Sequence, residues 1–330
     1  MGINFTWCLI IQAKETVYYM DSLPNHSVDE DMRNIVNITI PNEIGNLKSL
    51  VDMELCSNNL SGPITPNLEI VNLKSLVELC LSKNQLNGSI PRSLGDLTSL
   101  TYLSLFDNKL YGTIPNEIGN VKSIVQPELS SNALSGLIPP NICNLKKLNI
   151  LHLEGNQLSG SIPISLGDLK SLTHLYLYGN KLSGTIPNKI GNLKSLVYLE
   201  LGFNTLAQAI PLELQKLFQL TDLDLSHNSL EGRIPSEMSN MVSLVTLNLS
   251  HNNLSSFIPT SFQAMRGLSY LDISYNHLEG PLPNNIAFQE ALLEALKGTM
   301  DCVAKLELCC HLAMNTAQKS TENWAKKDEA

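Results

Sequence analysis

Apolar positions along most of this chain recur with a period that belongs to neither an α-helix nor a lone strand. In the stretch 171–194 (SLTHLYLYGNKLSGTIPNKIGNLK) they stand at Leu172, Leu175 and Leu177, then at Leu182, Ile186, Ile190 and Leu193. The alternation of Leu175 and Leu177 predicts a short strand with both leucines on one face. Asn180 predicts the turn out of that strand, its amide bonding backbone groups that the turn leaves unpaired. Ile186-Pro187 predicts an extended segment, because the residue before proline is biased away from the helical region. The mixed run IGNLKSL predicts a single helical or 3₁₀ turn on the opposite side. The same phase returns at Asn58, Asn84, Asn108, Asn132, Asn156, Asn180, Asn204, Asn228, Asn252 and Asn276, with a first interval of 26 residues and 24 thereafter.

The pattern L-x-x-L-x-L-x-x-N-x-L is the leucine-rich repeat signature, and such units stack into a solenoid around one continuous core. The expected fold is an α/β solenoid over residues 33–284: a right-handed superhelix with a parallel sheet on its concave face. Each buried leucine contributes about 1.5–3 kcal/mol, and ten strands span roughly 48 Å. Four positions break the pattern. Pro127 takes the second leucine position of its unit and removes a ladder donor, which predicts a local break or bulge. Thr65 replaces the proline of Ile-Pro, and Gln208 and Ser256 replace the glycine that precedes it. Residues 1–32 fit no repeat and read as an irregular segment, a degenerate signal or cap. Residues 285–330 read as a helical tail that frays, with helical spacing in Phe288–Lys297 and a second helix over Cys302–Met314. Solenoids need polar caps; these ends predict fraying of the first unit and an exposed apolar end.

Composition narrows the functions. The formal charge of −9 over 330 residues disfavours nucleic acid as a partner. No window of eighteen apolar residues predicts a transmembrane helix, and the apolar run Ile3–Ile11 is a marginal secretory signal, equally readable as a buried or truncated segment. The seven cysteines show no paired spacing. Cys56 and Cys80 sit two steps out of register on neighbouring strands, an offset of about 8 Å that predicts two free thiols. Cys309-Cys310 lacks the spacing of a structural zinc site, and no cofactor or metal is expected.

The recurring G-x-I-P-x-x-I-G-N-L run resembles the plant type of leucine-rich repeat. The last units, LTDLDLSHNSLEGRIPSEM, LVTLNLSHNNLSSFIPTSF and LSYLDISYNHLEGPLPNNIAFQEA, are similar to the membrane-proximal end of plant leucine-rich-repeat receptor-like kinase ectodomains, and within them to the male-discoverer-interacting receptor kinase branch. The resemblance covers about residues 33–296. It implies an extracellular module, at the plasma membrane or in the apoplast, that binds a peptide or protein ligand, and a co-receptor ectodomain as a further partner. In that family a Cys-containing cap, a membrane helix and a Ser/Thr kinase follow. The chain carries no Gly-rich phosphate loop, V-A-I-K, H-R-D or D-F-G, so it reads as a truncated form that is not itself an enzyme. Trp7-Cys8 is a remnant of the family's Cys-Trp N-terminal cap. Two alternatives stay open: a secreted wall-defence inhibitor similar to polygalacturonase-inhibiting proteins, and the parent kinase with its catalytic part beyond residue 330.

Function has to come from what the repeats do not share. Alternation places Tyr102, Phe106, His152, Glu154, His174, Tyr176, Tyr178, Tyr198, Glu200 and Phe203 on the concave face, grouped in the middle units. Aromatics clustered there suit anchoring of a peptide or protein; cross-strand ring packing is the plainer reading. The face is also acidic, with Asp52, Glu54, Glu78, Asp107, Glu128, Asp222, Asp224 and Asp272 against Lys83 alone. That predicts a basic or neutral polar ligand; a solvated, solubilising surface is the plainer reading. The Arg pair with which some relatives hold a ligand carboxylate is absent. Among the N-x-S/T sequons, Asn37, Asn59 and Asn87 are the glycosylation candidates.

Overall fold

The computed structural model describes residues 10–13, 16–19, 40, 44–45, 47–64, 72–290 and 293–297. Ten strands stack in parallel as the leucine alternation predicts, from Leu50–Glu54 and Glu78–Cys80 through Tyr102–Ser104, Ile150–His152, His174–Tyr176 and Tyr198–Glu200 to Tyr270–Asp272. Their register is one repeat per step, with Leu151 beside Leu175 and Leu175 beside Leu199. These leucines are fully buried, as are Leu172, Leu177, Leu182 and Leu193 of the same unit.

The asparagine ladder closes the turns. Asn180 donates from Nδ2 to the carbonyls of Leu153 (3.0 Å) and Leu177 (3.1 Å) and accepts at Oδ1 from the Leu158 amide (2.9 Å). Leu153 and Leu158 lie in the preceding unit, so each asparagine joins two repeats. The arrangement recurs from Asn84 to Asn276. Asn58 differs: it is exposed, and its amide donates only to the Cys56 carbonyl among the described residues.

Five-residue 3₁₀ turns such as Asn116–Asn120 and Asn188–Asn192 form the convex side, each entered through a proline in extended geometry. The glycine inside the turn has a steric reason: a Cβ on Gly167 would collide with the carbonyl of Lys189 in the next unit.

A second parallel sheet was not expected. Ten short strands just after the asparagines, among them Gln85–Gly88, Lys181–Gly184 and Thr205–Gln208, run along one flank. Each regular copy has a glycine at or next to its end with φ between +74° and +88°, as at Gly88 and Gly160. Gln208 (φ +70°) and Ser256 (φ +72°) hold that left-handed conformation with a side chain, which costs about 1–2 kcal/mol per residue. Both are exposed. The double variant Gln208→Gly/Ser256→Gly is therefore expected to gain about 1 kcal/mol after the entropic cost of glycine. Equal or lower resistance to urea would contradict the strain.

Several expectations need correction. The strand Gln126–Glu128 passes through Pro127 with no bulge and unchanged register, Leu103 lying beside Pro127. The missing donor shows on the other side, where pairing to Ile150–His152 shrinks to His152 beside Glu128. Cys56 and Cys80 are a disulfide with Cα atoms 5.6 Å apart, not free thiols. Cys56 lies beyond the end of its strand at Glu54, where the chain already turns toward Ser57 (φ +56°), so straight-ladder distances do not apply. Within residues 1–32, read as irregular, Ile10–Ala13 and Thr16–Tyr19 form an antiparallel hairpin on the edge of Leu50–Glu54. The far end is not an exposed apolar face either. A short helix Ile286–Glu290 and a turn Leu293–Leu296 cover it, burying Ala287, Phe288 and Leu296, and the Ile273 amide bonds the Ala295 carbonyl. Thr65, Cys302–Met314 and the tail beyond lie outside the described residues.

Candidate functional site

Three neighbouring strands carry the densest concave chemistry. His152, Tyr176 and Glu200 lie in one row across the sheet, and Ile150, His174 and Tyr198 in the adjacent row, because each strand repeats the last at a 24-residue offset. Neighbouring rings stack: His152 on Tyr176 at 4.7 Å and 18°, His174 on Tyr198 at 4.7 Å and 14°. The two stacks meet where Tyr176 tilts against His174 (5.9 Å) and Tyr198 (6.5 Å). All four rings are half-buried, and Tyr178, one turn further on, is exposed.

Carboxylates frame this ring cluster. Glu154 bonds His152 Nδ1 through Oε1 at 3.0 Å, and its Oε2 is buried without a hydrogen-bond partner among the described residues. Burial would lower the His152 pKa, but the hydrogen bond and charge of Glu154, with Glu128 and Glu200 behind it, outweigh that and raise it. His174 moves the other way, through burial and then the charge of His152. The Glu200 carboxyl is raised by burial and by its neighbours Asp224, Glu154 and Asp222. Burial, then Glu200 and other acidic neighbours, push the Tyr176 hydroxyl up to about 12. A row of acids next to buried rings is electrostatically crowded, and a cation would relieve it.

The remaining candidates fall outside this cluster. Tyr102 donates to Glu128 Oε2 (2.9 Å), where Ser104 also donates (2.8 Å), while Gln126 occupies Oε1 (2.7 Å). Glu128 is thus satisfied locally, unlike Glu154. Phe106 lies under the Lys83 ammonium at 5.9 Å. Phe203 belongs to a different array: it stacks on His227, then His251, then Tyr275, at 3.9, 4.0 and 4.1 Å. These four residues sit just past their strands at φ between +49° and +53°, which carries their rings to one rim of the sheet. His227, His251 and Tyr275 are not among the residues that alternation singles out; their common 24-residue phase with Phe203 is the signal that finds them. Asn59 and Asn87 are exposed, and Asn37 lies outside the described residues.

Units 75–97, 99–121, 147–169 and 171–193 match the Leucine Rich Repeat family, and 218–278 matches a second leucine-rich repeat family. The chain is a leucine-rich-repeat α/β solenoid, and its structural neighbours include plant receptor ectodomains. One is a TDR receptor, at 31% identity and TM-score 0.73, covering 78% of this chain and 44% of that one. Another is the Arabidopsis receptor kinase HAESA in complex with the peptide hormone IDA and the co-receptor SERK1, at 34% identity and TM-score 0.73, covering 80% and 44%. A plant ice-binding protein aligns at 28% identity and TM-score 0.67, covering 77% of this chain and 81% of that one. The chain thus spans less than half the length of those two receptors. No curated protein sequence matches it. Among the described residues, no helix is long and apolar enough to cross a membrane.

Proposed function

We propose that this solenoid is the ligand-recognition part of a plant receptor-like kinase ectodomain, and that it holds a peptide or protein segment bearing a positive charge against His152, Glu154, His174, Tyr176, Tyr178, Tyr198 and Glu200. The observation that carries this reading is Glu154 Oε2: a buried carboxylate oxygen without a partner among the described residues, beside stacked rings. Buried acceptors are normally paired, and a ligand ammonium or guanidinium supplies the missing donor as a charge-assisted bond. The rings supply the apolar anchor. The Cys56–Cys80 disulfide supports an oxidising, extracytoplasmic location. Exposed sequons at Asn59 and Asn87 fit glycosylation there. The likeness of the last units to the male-discoverer-interacting receptor kinase branch narrows the relatives, and a co-receptor ectodomain is the natural second partner. In this reading the chain recognises and does not catalyse.

The test is a titration of the purified chain with matched cationic and anionic peptides at two salt concentrations. The cationic peptide is expected to bind more tightly, and more weakly at high salt. Tyr176→Ala is expected to weaken it at least tenfold, since central aromatic anchors carry about 2 kcal/mol or more. Because the Glu200 pKa is raised, this site loses negative charge before ordinary carboxylates do as pH falls, and binding should decline over that same interval. Equal, salt-insensitive binding of both peptides would falsify the proposal.

A further inference from the structure

The face opposite the ring cluster carries the reverse charge. Lys122, Lys146, Lys170 and Lys194 follow one another at 24-residue intervals, each two residues past a 3₁₀ turn. All four are exposed. Each is held in the same way: Nζ donates to the carbonyl three residues back, at Gly119 (2.7 Å), Cys143, Gly167 and Gly191 (2.8 Å each). Lys170 and Lys194 also reach the next turn, at Asn192 (3.4 Å) and Lys216 (2.9 Å). The ammoniums are therefore fixed in a line at the spacing of the repeat rather than free on flexible stems.

None of the four is paired with a carboxylate; the one ion pair among the described residues is His152–Glu154. An ammonium has three donors, so each keeps at least one for a ligand. Lys147, Lys189 and Lys216 widen the band, against Glu117, Asp168 and Glu213 on the same turns. This is a net cationic strip on a chain of net charge −9. Burial, and then the neighbouring charges of Lys216 and Lys170, lower the Lys194 pKa, as expected of crowded cations that lack an anion.

We propose that the Lys122–Lys146–Lys170–Lys194 file is a docking strip for a linear carboxylated polysaccharide. One charge per repeat matches a polymer with one charge per residue, which engages several lysines at once and gains by multivalency. Exposed amides (Asn120, Asn144, Asn192) and serine hydroxyls, exposed at Ser171 and half-buried at Ser123 and Ser195, flank the file, and these suit a polymer rich in hydroxyl groups. Single-stranded nucleic acid would call for aromatic platforms along the groove; the strip has one ring, Phe218, at its end beneath Lys194. The disulfide favours a compartment in which acidic glycans, not nucleic acids, are the polyanions at hand. The strip lies on the opposite face from the peptide site and does not depend on it.

The probe is polygalacturonate, titrated into the full chain at low and moderate salt. Binding is expected, with an affinity that falls as salt rises. The variant in which all four lysines become glutamine should lose at least tenfold, the variant with four arginines should keep it, and Lys109→Gln/Lys181→Gln, on the flank sheet, should leave it unchanged. Retained polygalacturonate binding by the four-glutamine variant would overturn the proposal, as would equal binding of fully methyl-esterified polymer. Equal affinity for oligo-dT or for anionic lipid vesicles would show a nonspecific cation strip and would overturn it too. Circular dichroism of the glutamine variant separates loss of the strip from loss of the fold; if that variant is unfolded, loss of binding by Lys146→Glu/Lys170→Glu decides, and its retention refutes the strip.

Discussion

Asn180→Ala is expected to lower the unfolding free energy by about 4 kcal/mol. The side chain is buried and makes three donor contacts and one acceptor contact that alanine cannot replace. Its removal leaves the Leu158 amide without its partner and takes one of two bonds from each of the Leu153 and Leu177 carbonyls, which keep those from Asn156 and Asn204. An unsatisfied buried group costs about 1–3 kcal/mol and a lost hydrogen bond about 0.5–1.5 kcal/mol, so the orphaned amide and the two weakened carbonyls together account for the loss. Asn58→Ala is the internal control: that residue is exposed and makes only its bond to Cys56 among the described residues, so its loss should stay below about 1 kcal/mol. Urea denaturation of the two variants beside the parent checks both figures. Equal effects at the two sites would mean that the ladder bonds do not carry the turns.

Reduction of Cys56–Cys80, or Cys80→Ser, is expected to cost about 3 kcal/mol, because the bond closes a loop of 24 residues in the unfolded chain. The loss should be local. In a solenoid each unit contacts only its neighbours, so stability is close to a sum of nearest-neighbour contributions. Hydrogen exchange with and without reductant should show faster exchange over about residues 50–100 and little change beyond residue 150. Uniform acceleration along the chain would mean that the solenoid opens as a single unit. The bond sits beside Asn58, at the start of the ladder.

Periodic features were readable in the sequence because every unit states them again. The buried leucines, the Asn turns, the 3₁₀ turns and the concave rows at His174, Tyr176 and Tyr198 follow from phase alone. What escaped lies where phase and local geometry part. The flank sheet hides in segments such as Gln85–Gly88, too short and glycine-ended to read as strands. The rim stack Phe203–His227–His251–Tyr275 sits one residue past the alternation, in left-handed backbone that a strand pattern does not describe. The disulfide was missed for the same reason, since Cys56 is already in the turn. Within the candidate site, Glu128 and Glu154 occupy different rows with different partners; sequence shows two acids, and only side-chain geometry shows that one is satisfied and the other is not.

The Asn-to-Leu bonds between units have a further consequence, for how such a chain can change length. Each unit meets its neighbours through the same leucines, the same asparagine and the same backbone offset, so its junctions are interchangeable. Excising residues 157–180 would place Asn180's successor, Lys181, directly after Asn156, and every ladder bond across the new seam would find an equivalent partner: Asn204 would keep Leu182 and exchange the Leu177 carbonyl for that of Leu153. The concave surface would nonetheless lose His174 and Tyr176 together and bring His152 beside Glu200 and Ile150 beside Tyr198. Whole-unit deletion or duplication thus leaves the scaffold intact while reshuffling the side chains it displays, which makes length itself a heritable way to rewrite what the inner surface recognises.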